Sequence, residues 1–461
     1  MQIDLQTSCD YIEQRRFTCA LGAMRSVIAI PRACPIIHAG PGCCEKCGSL
    51  LTSGSGMQLG GHIAGQTIPC TNSSEAEVVY GGEDLLRSTI EGALKVMDAD
   101  IFVVMTGCTA DIVGDDTAQV VREFQEQGYP IVSVETAGFK GNNIMGHKWV
   151  VDAIIRQFVG QVKPQVRKGL VNLFCSIPLM HPYWRGDILE LKRILGALGF
   201  EVNCFFGPYS RGVSEWKDIP NAEFNLCIGP WVYLDTVKLC EEMYGTPYFH
   251  YPIFPMGAEH TSRFIRALAA YARLDMAQVE RFIEEEERIY YDFFSNIAGF
   301  LCESNIMLPN QVHLVSESTY ALGCAAHLVD ELGYDPKSVW ITENTPPQYQ
   351  QLVRDCFHEI DDRFDGNVHF EVDGGRIHDA FRGQKYRPGK VLLMGSAWEK
   401  KLAAEIRTRW CPIAVPMSGK VVMTSSFAGY RGGLHFLEEA YGSIFAVNAA
   451  ARINAAAHSN F

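Results

Sequence analysis

Residues 101–116 read Ile-Phe-Val-Val-Met-Thr-Gly-Cys-Thr-Ala-Asp-Ile-Val-Gly-Asp-Asp, and this stretch decides the fold class. A short continuous apolar run that stops at a glycine is typical of a strand buried on both faces of a parallel sheet. The apolar residues between Asp116 and Gln127 then recur at helical spacing. Together the two segments predict a strand followed by a helix, the repeating unit of α/β proteins.

Comparable apolar runs recur along the chain between segments of helical spacing. They lie at residues 131–134, 170–174, 224–228, 312–315, 339–342 and 391–394. Their repetition predicts an α/β fold with three Rossmann-like, doubly wound domains and parallel sheets.

Two segments suggest where one domain gives way to the next. Residues 163–169 form a short polar stretch before a new strand, and residues 305–310 follow the charged helix predicted at 280–288. We therefore predict a first α/β domain at residues 1–165, a second at 166–305, and a third with C-terminal helices at 306–461.

The amino-acid composition and net charge indicate which classes of partner and which cell compartment to expect. A net charge of −13 and a pI near 5.5 argue against non-specific binding to nucleic acid or to an anionic membrane surface. The N-terminus lacks a basic segment followed by an apolar core, and no apolar run approaches the roughly 20 residues of a membrane span. The sequence predicts a cytoplasmic protein whose partners are proteins and small molecules.

Three of the 16 cysteines lie at or beside turns: Cys19, Cys43 and Cys108. Cys43 follows Gly40-Pro41-Gly42, where the missing side chains let the backbone approach a bulky ligand. Cys108 lies just past the predicted strand, where open α/β sheets bind their ligands. Thiolates suit iron and sulfide, but these separations match no compact ferredoxin pattern, so spacing alone leaves buried structural thiols as an alternative.

The short sequence motifs around these cysteines resemble those of a known protein family. Cys19 before Ala-Leu-Gly-Ala23, His38-Ala-Gly-Pro-Gly-Cys43, and Thr106-Gly-Cys-Thr-Ala-Asp-Ile-Val-Gly-Asp-Asp116 occur in that order. Ser73-Ser-Glu-Ala-Glu-Val-Val-Tyr-Gly-Gly-Glu83 lies between the second and third words. The four words resemble segments of the β-subunits of nitrogenases, in the nitrogenase component 1 superfamily. Weaker similarity continues through Gly429-Tyr-Arg-Gly-Gly433.

The resemblance implies the nitrogenase component 1 architecture and an iron-sulfur site. In that family two homologous subunits each give three cysteines to a bridging [8Fe-7S] P-type cluster. Cys19, Cys43 and Cys108 would therefore be metal ligands and form half of the ligand set of the cluster. It also implies a homologous α-type subunit in an α2β2 complex and an ATP-dependent iron protein, with Tyr80 as a possible contact. Cys44 and Cys47 form a Cys-x-x-Cys pair, but the resemblance selects Cys43 and leaves them as bystanders.

The same resemblance predicts that this chain has no catalytic residue of its own. The α-subunits hold a catalytic cluster through one cysteine and one histidine, and the matching positions here are Pro230 and Ala428. Cys227 lies three residues from Pro230, so a shifted alignment could supply one ligand but not the missing imidazole. His435 is the nearest substitute histidine, and a helix-surface or packing histidine is the favoured interpretation of it. Some nitrogenases also place a serine on the P-cluster, where this chain has Gly138.

The resemblance favours a nitrogenase-like reductase of the methylthio-alkane reductase type, which cleaves carbon-sulfur bonds. Cys19 comes early and is followed by Ala-Leu instead of the Gln-Pro of vanadium and iron-only β-subunits, and residues 48–65 are glycine-rich. The alternatives are the β-subunit of a dinitrogen-reducing nitrogenase, a tetrapyrrole reductase, and a cofactor-assembly scaffold. A Rossmann-type nucleotide enzyme is disfavoured because neither Gly-x-Gly-x-x-Gly nor a Walker A word is present, so ATP is expected on the partner.

Overall fold

The computed structural model describes residues 12–43, 52–58, 68–303 and 308–458. Within them the strands form three sheets, in each of which every paired neighbour is parallel. The strands are β1 (Ala33–His38), β2 (Ile101–Thr106), β3 (Ile131–Val134), β4 (Arg167–Phe174), β5 (Glu201–Cys204), β6 (Ala222–Ile228), β7 (Tyr248–Tyr251), β8 (Gln311–Ser316), β9 (Asp335–Ile341), β10 (Val368–Phe370), β11 (Val391–Gly395) and β12 (Arg409–Pro412).

The α-helices lie between and after these strands. They are α1 (Met24–Ile28), α2 (Glu75–Tyr80), α3 (Glu83–Val96), α4 (Cys108–Val113), α5 (Thr117–Glu126), α6 (Asn143–Ala153), α7 (Trp184–Ala197), α8 (Val213–Lys217), α9 (Leu234–Tyr244), α10 (Gly257–Ala272), α11 (Met276–Glu303), α12 (Ser318–Ala326), α13 (Pro347–Ile360), α14 (Gly374–Arg382), α15 (Ala397–Glu405) and α16 (Gly429–His458). None of the helices in the described ranges is long and apolar enough to cross a membrane.

The first sheet has the order β1-β2-β3, and its central strand is buried along its whole length. Alternate residues of a strand face opposite sides of the sheet. Accordingly, Phe102 and Val104 pack with Ile90 of α3, whereas Val103 and Met105 join the larger core on the other side. The uninterrupted apolar run of the sequence therefore reflects cover on both faces.

The second sheet has the order β5-β4-β6-β7, and the third has the order β10-β9-β8-β11-β12. In both sheets the strand order reverses near the middle, which opens a crevice at the carboxyl ends of the central strands. One continuous buried core includes residues of all three sheets, among them Val103, Leu226 and Leu314.

The α/β fold with parallel sheets is confirmed. Each predicted apolar run falls on a strand, except that Thr342 lies just beyond β9. The helix predicted from Asp116 is α5, in which the Asp116 side chain accepts a hydrogen bond from the backbone of Gln119. The first sheet ends at Val134, the second begins at Arg167 and the third begins at Gln311. The exact domain boundaries stay a prediction.

Candidate functional site

The carboxyl edge of the first sheet brings the loops of Cys43 and Cys108 next to each other. Strands β1 and β2 pair in register from Ala33 opposite Ile101 to His38 opposite Thr106. Just beyond them, the Gly107 N–H donates to the His38 carbonyl at 2.9 Å. A Cβ on Gly107 would lie 2.5 Å from the Ala39 Cβ, so glycine is needed for this approach.

Cys19 reaches the same region because its segment pairs with the chain that follows β3. The Ala20 N–H donates to the Gly141 carbonyl at 3.0 Å, and the Asn143 N–H donates to the Thr18 carbonyl at 3.1 Å. The Thr18 N–H in turn donates to the Asn143 side-chain oxygen at 2.8 Å. These bonds fix the backbone on both sides of Cys19.

Gly138 lies between two of the predicted ligands. A Cβ at this position would lie 2.9 Å from the Cys19 Cβ, 3.5 Å from its sulfur and 3.4 Å from the Cys108 sulfur. The Gly138 N–H also donates to the Cys108 sulfur at 3.1 Å. The structure therefore brings Cys19 and Cys108 together around a position that has no side chain.

Cys43 follows β1 at the same sheet edge and packs against the core. Cys19 and Cys43 are half-buried, whereas Cys108 is exposed. Across the ranges described, no three His, Cys, Asp or Glu side chains are grouped so that they could hold a metal ion. Cys44 and Cys47 lie outside the described residues, as do parts of segment 48–65.

An apolar patch lies on the surface beside these loops. It consists of Val78, Val79 and Tyr80 at the end of α2 and Ile112 on the contacting helix α4. Tyr80 is 88% exposed and Ile112 is 74% exposed. Exposed apolar residues that adjoin one another mark interaction sites more often than isolated ones do. We call these four residues the apolar patch. Tyr80 is thus a surface residue and not part of the core.

Ala428 is enclosed by buried side chains from several segments of the chain. Ala428 is fully buried, and its N–H donates to Asp187 at 3.0 Å. The ring of Tyr183 stacks on Phe427 with centroids 3.9 Å apart, and Tyr320 packs beside them. Aromatic side chains and a buried carboxyl group thus surround the position at which the α-subunits are expected to have a histidine ligand.

Neither Cys227 nor His435 is placed to act as a ligand beside Ala428. Cys227 lies inside β6, where burial raises the pKa of its thiol well above the ordinary range. The His435 Nδ1 lies 3.0 Å from the Ser426 carbonyl, and its ring packs against Tyr183 and Phe427. His435 therefore fits the interpretation of a packing histidine, and Cys227 is a buried core thiol.

A second buried network joins the three sheets. The Trp231 indole N–H donates to Glu343 at 3.0 Å, and the Asn142 side chain donates to the Glu343 carbonyl at 2.7 Å. Burial and the neighbouring Glu317 raise the pKa of Glu343 to about 6. Since Asn142 pairs with Cys19 as an isolated bridge, this network connects the Cys19 segment with the chain that follows β6 and β9.

Comparison with known proteins identifies a family that shares this architecture. Residues 18–445 match the model of the family described as Nitrogenase component 1 type Oxidoreductase. The chain is 25% identical over 381 residues to the nitrogenase molybdenum-iron protein alpha chain of Methanothermobacter thermautotrophicus, covering 81% of this chain and 74% of that one. It is 22% identical over 448 residues to the corresponding beta chain of Clostridium pasteurianum, covering 91% and 90%.

The fold is also similar to a solved structure of nitrogenase Cp1 at pH 6.5. The TM-score is 0.77 at 19% identity, with 96% of this chain and 95% of that chain covered. The family match spans all three sheets described above. This chain therefore belongs to the nitrogenase component 1 type oxidoreductase family.

Proposed function

We propose that this chain is the β-type subunit of a nitrogenase-like reductase. In this proposal it holds half of an [8Fe-7S] P-type cluster through Cys19, Cys43 and Cys108 and passes electrons to a catalytic cluster in a homologous α-type subunit. The single observation that carries the proposal is the arrangement around Gly138, where two cysteine sulfurs flank a position without a Cβ.

The residues present fit such a cluster. Thiolate sulfur is the usual protein ligand of iron-sulfur clusters, and Cys108 is exposed where a second chain can reach it. The absent side chain at Gly138 lets the side chains of Cys19 and Cys108 lie close to the same stretch of backbone. A site completed by the cysteines of a second subunit accords with the finding that the described part of this chain forms no closed metal site.

This chain's own residues position the ligands and tune them. The pairing of Thr18 with Asn143 holds the Cys19 backbone, and the Gly138 N–H points at the Cys108 sulfur. Hydrogen bonds to ligand sulfur are one of the ways in which a protein sets the potential of a cluster. When bound, the cluster supplies one-electron transfer between the iron protein and the catalytic cluster.

Substrate chemistry is assigned to the α-type subunit. Ala428 and Pro230 carry no donor atom, and Ala428 is enclosed by buried side chains such as Tyr183 and Phe427. Electron delivery is therefore the role proposed for this chain.

The ATP-dependent iron protein is proposed to dock on the apolar patch. We expect Tyr80→Ala to raise the KM for the iron protein about tenfold or more, because a large exposed aromatic at the centre of an interface is often a major contributor to binding. Tyr129→Ala is the matched control, since Tyr129 is also exposed but precedes β3 at the opposite edge of the sheet. The measurement is turnover of the α2β2 complex against iron-protein concentration. Equal KM values for the two variants would contradict the docking assignment.

Reductive carbon-sulfur cleavage of methylthio-alkanes is the proposed reaction. The same assay, run on the purified complex with its iron protein, distinguishes the candidates by product. Ethylene from 2-methylthioethanol supports methylthio-alkane reduction, whereas ammonia from dinitrogen indicates a nitrogenase β-subunit. A complex that carries iron but turns over neither substrate indicates an assembly scaffold or a tetrapyrrole reductase, and reduction of a tetrapyrrole separates these two.

A further inference from the structure

The side chain of Asp115 connects two loops at the carboxyl edge of the first sheet. Its Oδ1 accepts a hydrogen bond from the Gly82 N–H at 2.9 Å. Its Oδ2 lies 2.9 Å from Nε2 of His38, the last residue of β1. The Asp115 side chain is only 6% exposed and the His38 side chain is fully buried, so both contacts are shielded from water.

The other ring nitrogen of His38 is also engaged. Its Nδ1 lies 3.2 Å from the Thr71 hydroxyl, which in turn accepts from the Ala39 N–H at 3.1 Å. Because carboxylate oxygens accept, the His38 Nε2–H donates to Asp115. The Thr71 hydroxyl also lies 3.2 Å from the Ala39 carbonyl and 3.0 Å from the Ser73 hydroxyl, so it joins the imidazole to the segment that follows β1.

Gly82 allows this arrangement because it has no side chain. A Cβ there would lie 2.8 Å from the His38 Cε1 and 2.9 Å from the Asp115 Oδ2. Contacts below 3.0 Å force atoms to move, and both neighbours are held by the bonds described above. An alanine at this position would therefore push Gly82 and the His38–Asp115 pair apart.

Each member of the group belongs to a different functional segment. Gly82 follows the apolar patch on α2, Asp115 follows helix α4 that begins with Cys108, and His38 precedes the loop that carries Cys43. Asp115 is further tied to α4, since its N–H donates to the Ala110 carbonyl at 3.2 Å. The three segments therefore contact one another through His38, Asp115 and Gly82.

We propose that His38 and Asp115 are positioning residues that couple the apolar patch to the loops of Cys43 and Cys108. Contact of a partner with α2 is then transmitted through Gly82 to both ligand loops, which sets the geometry in which the cluster receives an electron. The inference rests on the proposed function, because it assigns the patch to the iron protein and the cysteines to the cluster.

The test uses Gly82→Ala in the purified complex, with Gly92→Ala on α3 as the control, since a Cβ on Gly92 meets nothing within 4 Å. Iron content, the spectrum of the cluster, and kcat and KM for the iron protein are measured. We expect Gly82→Ala to keep its iron and its KM but to lose about tenfold or more in kcat, because small misplacements of reacting groups have effects of this size. Gly92→Ala is expected to match the wild type.

A second pair of variants keeps the inference testable if Gly82→Ala fails to assemble. His38→Asn retains a group near Nδ1 but does not reach Asp115, whereas the side-chain amide of His38→Gln does. We expect His38→Asn to lower kcat per cluster and His38→Gln to restore it. If kcat per cluster of His38→Asn stays at the wild-type value while only its iron content or stability falls, the coupling inference is overturned. Failure of the wild-type complex itself to accept electrons from the iron protein would instead refute the proposed function.

Discussion

Replacing Cys108 by alanine is expected to leave the assembled complex without its P-type cluster. A methyl group cannot replace a thiolate ligand, and Cys108 is the cysteine whose sulfur receives the Gly138 N–H beside Cys19. The complex should lose the iron of this cluster, and turnover with the iron protein should fall to background. Iron per complex and the electron paramagnetic resonance spectrum are the measurements.

Cys302→Ala is the matched control for that experiment. Cys302 is exposed like Cys108, but it lies near the end of α11 and has no proposed role. We expect this variant to retain full iron and activity. Full iron content and normal reduction in Cys108→Ala would show that Cys108 is not a ligand.

Glu399→Ala is expected to destabilise the complex by about 3–5 kcal/mol, because it leaves a buried arginine without its partner. The Arg16 guanidinium pairs with the Glu399 carboxylate, and their side chains are 1% and 0% exposed. Glu399 also accepts hydrogen bonds from the Ser396 N–H and hydroxyl at 2.7 Å each, and it lies 3.1 Å from His378 Nε2. Arg16 precedes Cys19 by three residues, so the pair also anchors the Cys19 segment to helix α15.

The ionisation of Glu399 fixes the pH dependence of this effect. Burial opposes ionisation, but the Arg16 charge and the hydrogen bonds from His378 and Ser396 hold the pKa of the carboxyl below its ordinary value of 4.5. A depressed folded-state pKa gives stability that is complete above the unfolded pKa and is lost as the pH falls through the folded pKa. The variant should therefore differ from the wild type most at neutral pH and least in strong acid.

Glu405→Ala on the same helix is the control for Glu399→Ala. Glu405 pairs with Arg382, but the two side chains are 36% and 47% exposed, and such pairs contribute about 0–1 kcal/mol. Urea unfolding of both variant complexes measures the difference. Similar midpoints for the two variants would contradict a role for the buried pair.

The sequence predicts the central strands, and the edge strand β3, better than the other edge strands. Strands β2, β6 and β11 are covered on both faces and so appear as continuous apolar runs. Strands β5, β7, β10 and β12 lie at sheet edges, are three or four residues long, and mix polar with apolar residues. Their positions depend on pairing with a neighbour that no local pattern specifies.

The candidate site was predicted only in part. The words around Cys19, Cys43 and Cys108 identify the three segments, but the approach of Cys19 to Cys108 depends on Gly138 and on pairing across more than one hundred residues. The His38–Asp115 pair was not predicted. Both residues lie inside the motifs that resemble the family. They are polar and have no ligand role in those motifs, and this was the one sequence feature that could have pointed to the pair.

Cys19, Cys43 and Cys108 are proposed to hold one half of a shared iron-sulfur cluster. Anomalous scattering at the iron edge, measured on crystals of the assembled complex, locates the iron atoms directly. We expect iron bonded to the sulfurs of all three cysteines, with the iron density continuing to the partner subunit. Iron confined to other residues, or none within bonding distance of these sulfurs, would contradict this proposal.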